Sequence, residues 1–464
     1  MGHAREVPER LDGLDLALVL AISSLTLAFY LWFLTREPLV YGIDGPYYLI
    51  QVRAIERTDG LKYGDPPLAF YVFYALSPLL GGNRTLGVKV GTALSAALLV
   101  PPAYCLLRLE FGRREAPAIG ALAMSFSPHL LRLSCDFLKN LMGTTFLMAS
   151  LCLLALLARR GSVKLALASS AFLLLSGLTH SLAFAVALGL TVLYGTVRAL
   201  VERGRRAELA KLLVLVLLPP AALALAGLAL FPQFFSDLLK GEVFLEELFS
   251  SEVSPLLLPP HMLNVAFSLG LLCFGLSWSG LLLGARGCLS KRPWGPFVLA
   301  TALAGLVLTF PAIPPKWAWR FALMGFIPVA TAVAALVHQV GHEKAISVAL
   351  VLALLTPLLA QTAVGATAWG PSISPAEHAD LVAMSALIPP RSVVICREMP
   401  LKYWAEYVFD CDVVKKPSPE FLRRYEHVFL LVRADRELPP GPWRLAYRGE
   451  ELLLLERLPP KAAA

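Results

Sequence analysis

The sequence is short of charged and amide side chains. Only 16% of its 464 residues are charged, whereas 57% are hydrophobic, and the mean hydropathy is +0.66. A soluble protein of this length could not bury so much apolar surface. The chain also has just three Asn and four Gln, and a shortage of these thermolabile residues favours a thermophilic source. The composition excludes an ordinary soluble enzyme and predicts a polytopic membrane protein.

Several motifs are missing as well. We find no internal repeat, and residues after about 370 contain neither a Gly-rich phosphate loop nor a Cys/His metal spacing. The 41 basic and 33 acidic residues give a net charge of +8. The basic residues form short clusters between apolar segments, which points to membrane orientation and argues against a nucleic-acid partner.

The apolar segments are near 20 residues long, the length needed to cross a hydrocarbon core about 30 Å thick. They predict about eleven spans in a mainly α, polytopic membrane helix bundle. Residues 66–80 are a twelfth span or a re-entrant helix. The predicted spans are 14–35, 86–108, 116–134, 140–158, 164–180, 182–200, 211–231, 263–285, 295–312, 320–338 and 347–369.

The basic connectors predict the orientation of the chain. They all fall on one side of the predicted bundle, which the positive-inside rule makes cytoplasmic. Arg5 and Arg10 place the N-terminus on the cytoplasmic side. We expect the protein to be an integral protein of the plasma membrane. Residues 36–85, residues 232–262 and the C-terminal tail are then extracellular. The connectors are residues 113–114, 159–164, 203–211, 286–292 and 338–344.

The pattern changes near residue 370. The segments "SVVIC", "HVFLLV" and "LLLLERL" are aliphatic or β-branched and are bounded by Pro, Gly or charged residues, which is typical of short strands. A helix precedes them. We therefore divide the chain into a membrane domain, residues 1–369, and a small external α/β domain, residues 370–464.

Two cysteines lie in this tail. Cys396 ends "SVVIC" and Cys411 begins "CDVV", whereas the other five cysteines lie in or beside predicted spans. An external compartment allows disulfides to persist, and two adjacent strands would bring the pair together. We predict a Cys396–Cys411 disulfide; the alternative is two unrelated thiols.

The first external segment, "YGIDGPYYLIQVRAIERTDGLKYGDPPLAFY", is acidic, aromatic and rich in proline. Asp44 precedes Gly45 and Pro46, an order that suits the start of a helix running to about Glu56. Asp44 is then a helix cap, a proton acceptor at the mouth of a cavity, or both.

Other residues of the first external segment are candidates for the same cavity. Tyr47 and Tyr48 follow Asp44 on the predicted helix, and Asp65 lies further along. We assign all three to a cavity or acceptor site. The alternative for the tyrosines is a belt of aromatic residues at the membrane interface.

A polar stripe lies at the predicted external turn after the third span. His129, Arg132, Asp136, Lys139 and Asn140 share one face of a helix. Ionisable residues at membrane depth usually face a bundle interior or a wet cavity. The alternative is a structural ladder of ion pairs at helical spacing.

Cations also occur at the external end of the tenth span, in "FPAIPPKWAWRFALMGF". Lys316 and Arg320 flank two tryptophans, either as snorkelling side chains or as a site for a lipid phosphate, which a guanidinium binds with paired hydrogen bonds. His180, between the fifth and sixth spans, is a turn residue or a member of the cavity.

Four features of the sequence together resemble the GT-C superfamily of membrane glycosyltransferases. They are the early Asp of the first external loop, its "DPPLAFY" element, the polar turn after span three and the late external Arg. Protein mannosyltransferases, aminoarabinose transferases and oligosaccharyltransferase catalytic subunits belong to it. The resemblance covers roughly residues 14–340 and is strongest at 41–75 and 127–145.

The resemblance implies a sugar donor linked to polyprenyl phosphate or pyrophosphate and a protein, lipid or glycan acceptor at the external face. Asp44 would be the general base or a carboxylate that positions the acceptor, and Arg320, Lys139 and Lys316 would bind the donor phosphate. Asp136 lies where some members carry ligands of a divalent metal, Mn²⁺ or Mg²⁺. Asp136 departs from the pattern of those members, because it is a single Asp followed by Phe137 and Leu138.

The tail lacks the tryptophan-rich acceptor motif of oligosaccharyltransferases, which favours transfer of a single sugar. A single displacement would invert the anomeric centre. Two other classes stay open, a transporter or flippase of lipid-linked sugars and a non-catalytic membrane component of a glycosylation system. A transporter should show internal repeats and helices broken at the bilayer midplane.

Overall fold

The structure, a computed structural model, describes residues 11–230, 232, 242–248, 260–310, 313–340, 343–438 and 440–458. Within these ranges the side chains of 260–271, 315, 344 and 347 are left undescribed. Arg5 and Arg10, used to predict the orientation of the N-terminus, lie outside the described residues.

Helices make up most of the described chain. The first ten are α1 (Gly13–Thr35), α2 (Gly45–Thr58), α3 (Leu68–Leu79), α4 (Arg84–Leu98), α5 (Val100–Phe111), α6 (Glu115–Ser125), α7 (Pro128–Asp136), α8 (Leu138–Arg160), α9 (Val163–Thr179) and α10 (Ser181–Val201). The next seven are α11 (Arg206–Leu230), α12 (242–248), α13 (Pro260–Leu289), α14 (Gly295–Leu308), α15 (Pro315–Ala322), α16 (Phe326–Val340) and α17 (Lys344–Ala368). Three more are α18 (Pro375–Ser385), α19 (Met399–Phe409) and α20 (Pro419–Leu422).

Eight helical segments of the described residues are long and apolar enough to cross a membrane. They agree with predicted spans, as do the shorter helices α9 and α14. The prediction of a helical membrane protein is therefore supported. The eight segments are Gly13–Thr35, Arg84–Phe111, Leu138–Arg160, Ser181–Val201, Arg203–Leu230, Leu272–Leu289, Lys316–Val340 and Val348–Ala368.

The predicted span 116–134 is not one helix, because the chain breaks between α6 and α7. Ser127 is extended, with φ −82° and ψ 145°, and its side chain accepts a hydrogen bond from the Leu130 amide. Pro128 disfavours helical backbone in the residue before it. The residues 66–80 form α3, whose 12 residues extend only about 18 Å, too short to cross a bilayer alone.

The chain divides into two compact units. The first comprises residues up to Phe33, Tyr63–Val72 and Lys89–Ala368; the second comprises Leu34–Lys62, Phe73–Val88 and Trp369–Ala464. The predicted division near residue 369 coincides with the last of these boundaries. Two segments of the loop that the sequence predicts to be external belong to the same unit as the C-terminal residues.

Glycines allow close packing of helices in the first unit. A Cβ added at Gly284 of α13 would lie 2.5 Å from the Leu299 amide nitrogen of α14. A Cβ on Gly295 would lie 2.5 Å from the Gly287 carbonyl carbon. Helices in a membrane associate through such small residues, which bring backbones into van der Waals contact.

A buried ionic cluster fixes the beginning of α1. The Asp15 side chain is fully buried and accepts hydrogen bonds from Tyr104 Oη at 2.8 Å and Arg108 Nε at 2.9 Å. Arg114 lies 3.3 Å from Asp15 and also pairs with Asp12. A buried guanidinium needs a compensating carboxylate, so Asp15 ties the first span to α5.

We expect Asp15→Asn to destabilise the protein by about 3–5 kcal/mol, because Arg108 would keep a buried charge without its partner. Asp12→Asn is the matched control, since Asp12 is 52% exposed and Asn also caps helices. Thermal unfolding in detergent measures both. Equal melting temperatures for the two variants would contradict the importance of the buried pair.

The second unit contains a five-stranded sheet with the order β2-β1-β3-β5-β4. Its strands are β1 (Ser392–Cys396), β2 (Asp412–Val414), β3 (His427–Arg433), β4 (Trp443–Arg448) and β5 (Leu452–Arg457). β1 pairs in parallel with β2 and β3, whereas β5 is antiparallel to β3 and β4. The three predicted strands are confirmed as β1, β3 and β5; β2 lies within "CDVV", and β4 is an additional strand.

In the second unit α2 is held against α19 by charge. Arg53 of α2 donates to the Tyr407 carbonyl at 2.6 Å and pairs with Asp410 at 3.0 Å, and Arg57 contacts Asp410 at 2.5 Å. Lys62 lies 2.8 Å from Glu406. Burial alone would raise the pKa of Asp410, but the Arg57 hydrogen bond and the arginine charges outweigh it and lower the pKa.

The predicted disulfide is wrong in this structure, which has Cys396 and Cys411 as free thiols. Parallel pairing places Val393 opposite Asp412, so Cys411 falls near the start of β1 and Cys396 at its end. Four residues of strand separate these points, about 13 Å, which is beyond the reach of a disulfide. Burial also raises the pKa of both thiols to about 12, which makes them unreactive.

Candidate functional site

Several polar side chains of the first unit lie at a break between α7 and α8. The helices meet at Phe137, which has the non-helical angles φ −123° and ψ 50°. The polar stripe predicted from the sequence therefore runs across two helices and the break between them. His129, Asp136, Lys139 and Asn140 are all buried.

An ion pair joins this break to the residues before α3. The Lys139 ammonium lies 2.7 Å from Asp65 Oδ1, and the two side chains are only 11% and 12% exposed. The ammonium also lies 5.3 Å from the centre of the Phe70 ring, a cation–π contact. Two residues that the sequence assigned to different roles, donor binding and acceptor binding, therefore lie in direct contact.

Asp136 forms an ion pair within α7. Its carboxylate lies 2.5 Å from Arg132, four residues earlier, and is 5% exposed. This is one contact of the predicted ladder. Among the described residues, no three His, Cys, Asp or Glu side chains gather in a group that could hold a metal ion. A single arginine-paired carboxylate does not fit a divalent metal site, so we derive no step through a metal.

Aromatic contacts connect the break to α15. The Phe137 ring lies 5.0 Å from the Trp319 ring. Arg320 is exposed, and its guanidinium lies 5.5 Å from the centre of the Trp319 ring and 6.0 Å from that of Trp317. A cation held over aromatic faces keeps its hydrogen-bond donors available at its edge.

A buried amide makes a second connection between the break and the residues that follow α15. Asn140 Nδ2 lies 3.4 Å from the Met324 sulfur. The α7–α8 break and α15 are therefore neighbours, and together they form a polar site with exposed Arg320 at one side.

Lys316 is bound to an acidic residue of α12. Its ammonium pairs with Glu247, and the Trp317 indole donates to the same carboxylate at 2.8 Å. These two hydrogen bonds, and the Lys316 charge, lower the pKa of Glu247. Because Glu247 compensates Lys316, Arg320 is the stronger candidate for phosphate binding on α15. The sequence did not single out Glu247 for this contact.

His180 caps a helix in the first unit. It lies between α9 and α10, and its Nδ1 accepts a hydrogen bond from the Leu182 amide at 3.2 Å. A Cβ added at Gly143 of α8 would lie 3.6 Å from the His180 Cβ. The side chain thus has the turn role that was the alternative reading of the sequence, beside the helix that carries Lys139.

Asp44, Tyr47 and Tyr48 belong to the second unit. The predicted helix is confirmed as α2, although the Asp44 side chain makes no capping hydrogen bond. Asp44 and Tyr47 are half-buried. The Tyr47 hydroxyl accepts from Gln51 at 3.0 Å.

Tyr48 is a packing residue of the second unit. It is only 2% exposed, and its ring lies 5.8 Å from the Phe73 ring. The prediction that Tyr48 lines an open acceptor cavity is not supported by this position, because α2 turns Tyr48 toward the core of the unit.

Comparison with known proteins supports the fold. No family model and no curated protein matches the chain. The cryo-EM structure of the arabinofuranosyltransferase AftD from mycobacteria matches with a TM-score of 0.54 at 14% identity. The match covers 95% of this chain and 40% of AftD. This chain therefore shares the fold of part of AftD and spans less than half of its length.

We expect Lys139→Met to lower stability by about 3–5 kcal/mol, because Asp65 would stay buried without its cation. Adding Asp65→Leu removes the second charge and should restore most of that stability. Thermal unfolding of the single and double variants measures this. A single variant as stable as the wild type would show that the pair is not a buried ionic contact.

Proposed function

We propose that the protein is a membrane glycosyltransferase that moves a single sugar from a polyprenyl-phosphate donor to an acceptor at the external membrane face. The observation that carries this proposal is the polar site at the α7–α8 break, beside exposed Arg320, in a chain with the fold of part of AftD. AftD is an arabinofuranosyltransferase. A GT-C-type enzyme is the function that best fits this combination.

The site suits the donor end of such a molecule. The donor has a phosphate at the membrane edge and a prenyl chain in the lipid. Arg320 offers a guanidinium fork for two phosphate oxygens, and the rings of Trp317 and Trp319 beside it offer apolar surface for the first isoprene units. Lys139 is a second cation, already bound to Asp65, and it would approach the phosphate only as a member of that pair.

The reaction requires two kinds of assistance. The acceptor hydroxyl loses a proton, its oxygen forms a bond to the anomeric carbon, and the bond from that carbon to the phosphate oxygen breaks. The electron pair of the broken bond stays on the released polyprenyl phosphate. A cation stabilises the charge that develops on this leaving group, and a carboxylate accepts the proton. One such displacement inverts the anomeric centre.

Asp44 is our candidate for the proton acceptor, because the resemblance to GT-C enzymes assigns this role to the early Asp of the first external loop. It is half-buried and lies immediately before the first residue of α2.

Asp44→Asn should lower sugar transfer by roughly 10²–10⁴-fold, the usual contribution of a general base, while leaving the protein folded. Asp59→Asn is the matched control. Asp59 ends the same helix with φ 56°, a conformation that Asn adopts as readily as Asp. Transfer of radiolabelled sugar to extracted membranes measures both variants. Wild-type turnover in Asp44→Asn would remove Asp44 from the mechanism.

Arg320→Lys should weaken donor binding about tenfold or more, because lysine keeps the charge and loses the paired hydrogen bonds. Arg292→Lys, the same change at an exposed position after α13, is the control. The donor concentration at half-maximal rate measures the effect. If Arg320→Ala has the donor affinity of the wild type, the phosphate binds elsewhere.

A further inference from the structure

Two turns at one end of the first unit contact each other. One joins α8 to α9 through Gly161, and the other joins α10 to α11 through residues 202–205. Arg205 Nη1 donates to the Ala158 carbonyl at 2.8 Å. Gly161 has φ +64°, and a Cβ there would lie 2.5 Å from Glu208 Oε1. The contacts bring the charges of both turns to one surface.

This surface carries an excess of cations. Two glutamates of this surface already bind arginines of the same surface. Glu202 accepts a hydrogen bond from Arg198 at 2.7 Å, and Glu208 accepts one from Arg205 at 3.0 Å. Further cations of the two turns are exposed, and we call four of them the basic patch: Lys164, Arg203, Arg206 and Lys211.

An apolar indentation lies beside the basic patch, between the ends of α8, α10 and α11. Its volume is about 20 Å³, so it holds a small part of an apolar chain. Arg206, Leu209 and Leu213 fall at positions i, i+3 and i+7 of α11 and so share one helix face. The indentation is lined by Leu154, Leu157, Ala158, Tyr194, Gly195, Arg198, Leu209, Leu212 and Leu213.

We propose that the basic patch binds an anionic phospholipid, with the headgroup phosphate on Arg203 and Arg206 and one acyl chain along the leucines of the indentation. Basic pockets between membrane helices bind anionic headgroups in this way, and the charge of the patch is complementary to them. The positive-inside rule places the lipid in the cytoplasmic leaflet. The proposal is independent of sugar transfer.

The first test uses the wild-type protein in detergent. Native mass spectrometry would count bound molecules after equal additions of phosphatidylglycerol and phosphatidylcholine. We expect retention of phosphatidylglycerol in preference to phosphatidylcholine, and a loss of this preference as salt rises from about 0.05 to 0.5 M, where the charges are screened. Equal retention of the two lipids would overturn the proposal.

The second test removes part of the basic patch. Each cation near a membrane surface contributes roughly a fivefold change in lipid binding, so Lys164→Gln/Arg203→Gln/Arg206→Gln should retain phosphatidylglycerol about 100-fold less well. The matched control, Lys415→Gln/Lys416→Gln/Arg423→Gln, removes three exposed cations of the second unit and should behave as the wild type. If both triple variants lost phosphatidylglycerol to the same extent, or if neither did, a site at the basic patch would be contradicted. The salt titration of the wild type decides the matter if the first variant does not fold.

Discussion

The ion pair between Asp65 and Lys139 is the contact on which the polar site of the first unit depends. Both side chains are nearly buried, where either charge alone would cost several kcal/mol. Lys139 lies one residue beyond the α7–α8 break, and Asp65 lies in the segment that leads into α3. The pair therefore fixes the residues that lead into α3 against the helix break.

The surrounding contacts extend this constraint. Phe137 leaves helical geometry and packs on Trp319, while Asn140 contacts Met324. These contacts position α15 and thereby Arg320. The second unit has its own electrostatic attachment, in which Arg53 and Arg57 of α2 bind Asp410. Each unit thus uses arginine or lysine to hold a short helix or loop in place through ion pairs.

The sequence predicted the local features well. Long apolar runs corresponded to membrane helices, and "DGP" corresponded to the start of α2, because Pro is favoured in the first turn and cannot donate an amide further on. The break before Pro128 follows from the same steric rule and could have been foreseen from "FSP". The aliphatic strands were recognised from their composition and their flanking residues.

Pairings between distant residues could not be predicted in the same way. Arg53 and Asp410 are separated by more than 350 positions, and nothing in their local patterns associates them. The disulfide prediction was wrong because it assumed that adjacent strands bring their cysteines level. The parallel register instead displaces Cys396 from Cys411. Glu247 is one of three acids in α12, and only its contact with α15 distinguishes it from its neighbours.

The most direct test of sugar transfer is to follow both products of the donor. Purified protein in proteoliposomes would receive a polyprenyl-phosphate sugar labelled in both the sugar and the lipid, together with extracted membrane acceptors. The proposed function predicts one polyprenyl phosphate released for each sugar transferred, with the anomeric configuration inverted. Movement of intact donor across the bilayer, with no release of polyprenyl phosphate, would contradict it and favour a flippase.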